Sequence, residues 1–368
     1  MGFPRVRRWP HRFTLAVGIL LWGGGARAGK HDLQLSNFCP QQAVSLGGVP
    51  QQECAWVQRD AGGLITGPVT PSGDAQGLYR SLMSELGVAI APRLMTPADT
   101  LGFAGFQFSA DLGVTKISNS QPYWDGVRGV DPMNRGARRP DAYLTTLGGY
   151  VRKGLWLPLP ALEFGAGALK VLDSNMYAVQ GYAKIALQEG FHGWALPSVA
   201  VRGSVSQLLG TPDVDLIVYG VDVLMSKAFS IGGTARIEPF LGWNMLFIDP
   251  RSGVIDATPG CDAVAAEDAA PGDSAPSSHC APVQNGGGPM GTGPQWNDLN
   301  ANFTFPAQDI ITRQRWSAGF KLRLSVLFLA AEVDLIPAGS SRDDRQPSGA
   351  KDQSRTQETY SLSAGFDF

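Results

Sequence analysis

The chain has 368 residues, of which 17% are charged and 46 are glycine, and its formal net charge is −2. So balanced a charge leaves no electrostatic footprint for nucleic acid. After an N-terminal leader, no apolar run approaches the roughly 20 residues that a membrane-spanning helix needs.

The leader is residues 1–28. Arg5, Arg7, Arg8, His11 and Arg12 make a basic start, Phe13 to Trp22 is largely apolar, and Ala26-Arg27-Ala28 puts small residues where signal peptidase reads. These features predict a secretory signal peptide cut before Gly29. No cysteine stands at that site to carry a lipid anchor.

Residues 29–101 do not read as barrel wall, with Gly87 to Ala91 as a candidate additional strand. They hold Cys39 and Cys54, a Gly/Pro-rich stretch from Gly62 to Gly73, and a helical candidate from Asp74 to Leu86. There Leu78, Leu82 and Leu86 recur on one helical face. The segment is expected to be a small periplasmic domain, a plug in a barrel mouth, or a partly ordered leader. The other two cysteines, Cys261 and Cys280, lie in a long polar stretch. Four cysteines allow three pairings. The local one, Cys39 with Cys54 and Cys261 with Cys280, is expected because each closes a short loop and an exported chain meets oxidising conditions. The alternative, a zinc site with His279, lacks a recognised ligand spacing.

From Phe106 onward the chain alternates apolar and polar residues, the period-two pattern of a strand with two unlike faces. Phe106, Phe108, Ala110, Leu112 and Val114 share one face of the first segment. Apolar faces follow at Tyr143, Leu147 and Val151, at Leu162, Phe164, Ala166 and Ala168, and at Tyr177, Val179, Ala183, Ile185 and Leu187. Val199, Val201 and Val205 form the next, then Ile217, Tyr219, Val221, Val223 and Met225. Ile237, Leu241, Trp243, Met245 and Phe247 come next; Pro239 interrupts that segment and predicts a bulge, since proline cannot donate to a ladder. Trp316, Ala318, Phe320, Leu322 and Leu324 oppose Arg313, Arg315, Lys321 and Arg323. After Leu324 the apolar parity changes, to Leu327, Leu329, Ala331, Val333 and Leu335. A one-residue slip flips every side chain, so a tight turn is expected at Ser325-Val326.

The last segment, Thr356 to Phe368, sets Tyr360, Leu362, Ala364, Phe366 and Phe368 against Ser361, Ser363, Gly365 and Asp367. It resembles the C-terminal strand of Gram-negative outer-membrane β-barrel proteins. In that family an aromatic-ended last strand is read by the barrel-assembly machinery and closes the barrel. The resemblance implies an assembly signal at Tyr360, Leu362, Phe366 and Phe368, a periplasmic C-terminus and a place in the cell outer membrane. Membrane lipid and the assembly machinery are the implied partners. A secreted soluble sandwich would also alternate, but it would have to bury these aromatic faces and would use shorter strands.

The expected fold is therefore all-β: a transmembrane antiparallel up-and-down barrel of about ten strands, with twelve as the alternative. Residues 102–368 form it, with 249–309 as a long extracellular loop. Its lumen-facing charges are Glu163, Lys184, Arg202, Arg236, Glu238, Arg315, Lys321, Arg323, Glu332 and Asp334, of both signs. They are expected to pair across a narrow interior, closed further by residues 29–101.

Chemistry is sparse. The mature histidines are His31, His192 and His279, and none falls in a predicted strand. No phosphate-binding glycine loop or metal motif is present, and no cofactor, metal or catalytic residue is expected. Acidic residues of 249–309 could offer calcium oxygen ligands but match no loop spacing. By fold analogy the expected function is a non-enzymatic passive channel or uptake pore. A long-chain fatty acid transporter-like protein, a structural or adhesive surface barrel, and a lipid-modifying enzyme are the alternatives.

Overall fold

A computed structural model describes residues 29–46, 49–60, 66–130, 139–155, 161–189, 196–257, 301–344 and 350–368. Ten antiparallel strands follow one another around a closed barrel. They are β1 (Phe106–Lys116), β2 (Tyr143–Leu155), β3 (Leu162–Val171), β4 (Tyr177–Gln188) and β5 (Ser198–Leu209). Then come β6 (Val214–Ser226), β7 (Ala235–Ser252), β8 (Ile311–Leu324), β9 (Leu327–Ile336) and β10 (Gln357–Asp367). Strand β10 pairs with β1, Leu362 opposite Leu112, so the sheet closes on itself. Closure gives every strand two hydrogen-bonded neighbours, which is what hydrocarbon demands of a sheet.

The two faces are inverted relative to a soluble barrel. Phe108, Leu112, Phe164, Val179, Tyr219, Val223, Leu241, Phe320, Leu335 and Leu362 are exposed on the outside, as is Trp316 at 54%. Lys184, Arg202, Asp222, Arg315 and Glu332 are buried inside. A continuous apolar belt of this extent has no stable exposure to water, whereas apolar-out and polar-in is the pattern of a membrane barrel. The chain is a transmembrane β-barrel of the outer-membrane kind.

The barrel has unlike ends. The chain reverses through 227–234 and the two residues 325–326 at one, the turn end. At the other, the loop end, the connections 117–142, 253–310 and 337–356 are long, and 172–176 and 210–213 are short. Ser325 has φ 57 and links Leu324 to its partner Leu327. A positive φ at the first central residue alone fits a type II′ hairpin, and this turn produces the change of parity read in the sequence. Pro239 does not bulge. It pairs in continuous register with Phe320, and its carbonyl accepts from Lys227 N at 3.2 Å, just past the end of β6. The register is kept on either side, Phe240 opposite Ser226 and Ile237 opposite Phe229, so the N–H that Pro239 lacks would have faced Lys227 and the sheet forgoes that one donation without a bulge. The irregularity lies instead between β4 and β5, at Ala186 and Gln188.

Residues 29–91 pack over and into the loop end. The Cys39–Cys54 disulfide is formed; Cys261 and Cys280 lie outside the described residues. Helix α1 (Gly73–Ile90) is capped by Ser72, whose hydroxyl accepts from Ala75 N. The helix is buried on nearly all sides, which departs from the single apolar face read from Leu78, Leu82 and Leu86. The reason is that strand residues at the loop end, Leu144, Leu169, Leu208, Leu246, Ile248 and Ile311 among them, point inward and are apolar. They form one core with Tyr79, Leu82, Leu86 and Ile90 of the helix. Contact is close enough that a Cβ on Gly87 would stand 2.8 Å from Ile248 side-chain atoms.

Phe320 faces lipid, and Phe320→Arg should cost about 2–4 kcal/mol near the membrane midplane. Urea titration of the protein in lipid vesicles, with heat-modifiable migration as the assembly readout, measures it. A variant as stable as the parent would place Phe320 off the lipid face.

Candidate functional site: the barrel interior and its strap

After α1 the chain leaves helical conformation and runs through the barrel as an irregular strap, residues 91–101. Its partners on the wall follow in order from loop end to turn end. Ile90 carbonyl accepts from Gln180 Nε2 at 2.6 Å and Ser206 Oγ at 2.9 Å. Pro92 carbonyl accepts from Arg315 Nη2 at 2.7 Å, and Arg93 carbonyl from Arg202 Nη1, also at 2.7 Å. Leu94 N and Met95 N donate to the two oxygens of Glu332 at 3.2 and 2.5 Å. Lys184 Nζ donates to the carbonyls of Pro97 and Asp99 at 3.1 and 2.9 Å. Ala98 N donates to Ser226 Oγ at 2.9 Å, Thr100 N to Glu189 at 3.1 Å and Leu101 N to Glu163, also at 3.1 Å.

Geometry permits the crossing. Eleven extended residues reach at most about 36 Å, more than the apolar band of about 25 Å. Buried backbone polar groups must find partners, and here the wall's side chains supply them. Glycine makes room: a Cβ at Gly242 would lie 2.2 Å from Leu94 Cδ1 of the strap.

Beneath these contacts runs an ion-pair network. Glu163 lies 3.1 Å from Lys184 and accepts from Tyr182 Oη at 2.7 Å. Arg202 binds Asp222 at 2.8 Å, with Arg315 at 3.9 Å from the same carboxylate. Lys321 binds Asp367 at 2.7 Å. Arg236 bridges Glu238 at 2.5 Å and Asp99 of the strap at 2.9 Å. Asp334 accepts from Ser317. Of the ten lumen charges read from the sequence, nine thus sit in the interior, and Arg323 stands apart at the turn-end rim, 42% exposed and 3.8 Å from Asp367. The reading omitted Arg152, Asp222 and Arg93. The first two were legible, since they oppose Val151 and Val223. Arg93 belongs to the strap and carries no periodic signal; it donates to Thr146 Oγ1 at 2.7 Å. A cavity of about 10 Å³ remains between the strap and the wall at Arg93, Asp111 and Tyr150, about the space of one water.

Around the loop-end mouth the cap is anchored by buried polar groups. Glu85 of α1 accepts from Tyr123 Oη at 2.6 Å, Trp124 Nε1 at 2.8 Å and Ser118 N at 3.0 Å. Arg80 donates to Asp309 carbonyl at 2.8 Å and Ser341 Oγ at 3.1 Å. Burial pushes Tyr123 above the ordinary phenol range, reinforced by the Glu85 carboxylate. Burial lowers Arg80 from its ordinary value, opposed by nearby aspartates. Asp213, in the β5–β6 turn, accepts from Leu35 N at 2.9 Å, and burial raises its pKa.

At the C-terminus, Tyr360, Leu362 and Phe366 face outward and Phe368 is exposed. Phe368 exchanges two backbone hydrogen bonds with Phe106, at 3.0 and 2.8 Å, extending the closing seam. His192 and His279 lie outside the described residues. His31 is buried, its Nδ1 3.3 Å from Leu172 carbonyl.

No family model matches the chain, and no curated protein does. Among solved structures it is similar to Ail, the attachment invasion locus protein of Yersinia pestis, at 10% identity over 72% of this chain and 99% of that one, with a TM-score of 0.24. The N-terminal β-barrel domain of Pseudomonas aeruginosa OprF matches at 8% identity over 73% of this chain and 99% of its own, TM-score 0.24. LpxR from Salmonella typhimurium matches at 9% over 69% and 99%, TM-score 0.27. Likenesses this loose add nothing to the barrel closure and apolar belt that the chain itself displays.

Lys184→Met leaves Glu163 buried without its cation and should cost about 3–5 kcal/mol, whereas Lys184→Met with Glu163→Leu should cost less than the single change. Urea midpoints in detergent micelles test both, and equal losses would remove the pair from the interior network. Asp213→Asn keeps an acceptor for Leu35 N and removes a charge that burial disfavours. Because the folded pKa of Asp213 is raised, ionisation costs stability above that pKa and nothing below its ordinary 3.8. The asparagine variant should therefore melt higher at neutral pH and converge with the parent below about pH 3.8. Thermal scans across that range decide it.

Proposed function

We propose that this protein is an outer-membrane barrel closed to passive flow, which acts through the structure it holds over its loop-end mouth. The observation that carries this reading is the strap: residues 91–101 run through the interior and bond to Glu332, Lys184, Arg202, Arg315 and Glu163 along its length. An open passive pore needs a continuous water column, and both the strap and the paired charges occupy that space. The reading puts the turn end in the periplasm and the long loops, with the cap of residues 29–90, outside the cell, as short-turn and long-loop asymmetry suggests. It contains no catalytic step.

A second reading is a gated uptake path. One observation favours it: wall side chains hold the strap from Pro92 to Leu101, with no backbone-to-backbone bond to a strand among the described residues. Such a segment could shift without unzipping the sheet.

Planar-bilayer conductance separates the readings. The intact protein should show little or no conductance, and removal of residues 29–101 should raise it. Conductance of the intact protein on the scale of a large general porin would overturn the closed-barrel reading. Conductance that appears only with a solute present would favour the gated path.

A further inference from the structure

The start of the first barrel strand and the N-terminal cap lie at opposite ends of the molecule. Strand β1 starts at the turn end: Gly154 N donates to Gly105 carbonyl at 3.1 Å, and Phe106 bonds to Phe368. Residues near 30 lie at the loop end. Lys30 is 3.4 Å from Asp173 in the β3–β4 turn and is paired with Asp141. Asp32 Oδ1 accepts from Asn175 N at 2.6 Å and Ser174 Oγ at 2.8 Å. Between the two ends the strap passes inside the ring of strands, and its successive contacts descend the wall in sequence order, from Gln180 and Ser206 to Glu189 and Glu163. Cross-linked by Cys39–Cys54 and built around Leu35, Phe38, Tyr79 and Leu82, the cap is far bulkier than the strap.

We propose that the chain threads its own barrel, so that the N-terminal residues of the folded protein are displayed on the outer face of the membrane although the first strand begins on the periplasmic side. An up-and-down barrel with an even number of strands ordinarily keeps both chain ends on one side. Here the strap reverses that for the N-terminus. The outward surface is then composed of residues 29–90 together with the long loops, and the loops alone are not its boundary. The assignment of sides rests on the orientation given under the proposed function; the threading does not.

Single cysteines report both. In full-length protein carrying Cys261→Ser and Cys280→Ser, with Cys39 and Cys54 already bonded, Thr70→Cys marks the cap at an exposed position. Val254→Cys marks the loop end and Phe103→Cys the turn end, each at a residue 70% exposed. A membrane-impermeant maleimide is applied to intact cells and to cells with a permeabilised outer membrane. The expected result is labelling of Thr70→Cys and Val254→Cys on intact cells, with Phe103→Cys labelled only after permeabilisation. If Thr70→Cys labels together with Phe103→Cys and apart from Val254→Cys, the strap does not thread the barrel and the proposal fails. If Thr70→Cys and Val254→Cys label together only after permeabilisation, while Phe103→Cys labels on intact cells, threading stands. In that case the outward display and the orientation assigned above are both overturned.

Discussion

A peptide segment without helix or sheet cannot lie in a membrane protein unless every buried N–H and C=O finds a partner. In residues 92–101 the amides of Leu94, Met95, Ala98, Thr100 and Leu101 and the carbonyls of Pro92, Arg93, Pro97 and Asp99 meet it through wall side chains. Glu332 takes two consecutive amides, Lys184 serves two carbonyls, and Arg202 and Arg315 converge on the stretch Pro92–Arg93. These same charges must also neutralise one another, because an unpaired ion in such surroundings costs several kcal/mol. The wall therefore works as a fixed solvent for the strap, and the ion pairs keep that solvent in place. The size of the lumen, the glycines along the strap's path and the helix seated above it follow from this one requirement.

The interior is layered by the same logic. Toward the loop end the wall turns apolar residues inward, and α1 completes a core with them. Toward the turn end the wall turns ions inward and the strap completes a polar network with them, while its Leu94 and Ala98 pack with Leu224 and Phe240 and its Met95 with Phe328. The transition coincides with the helix end at Ile90. A helix satisfies its own peptide groups and wants an apolar socket; an irregular chain does not, and wants donors and acceptors. Each part of the N-terminal segment sits against the kind of wall its backbone requires.

The barrel was largely legible in the sequence, because a strand with one lipid face and one interior face writes its period into the residues. All ten strands, the parity change at Ser325 and the closing Phe-ended strand were visible in this way. Pro239 misled, since the sequence shows that a donor is missing but not that the pairs on either side of it hold the register. The apolar inward residues at the loop end, such as Leu144 and Ile248, were hidden: in a strand's alternation they read as interruptions. The path of residues 91–101 left no trace at all. Its partners are scattered from Thr146 to Glu332, and a segment that relies on side chains of distant strands has no local pattern to show.

A ring of hydrogen bonds that surrounds part of its own chain has a mechanical consequence. The strap cannot be withdrawn toward the turn end while the cap is folded and its disulfide intact, because the cap does not fit through a lumen lined with Arg152, Arg202, Arg315 and Tyr182. Nor can it leave sideways without parting a seam such as β10 with β1. Loss of structure must begin with one of two slow events, dissolution of the cap or rupture of a ladder between neighbouring strands. The native state is thus held by the height of a barrier as well as by the depth of a well, in the manner of a bead fixed on a knotted cord.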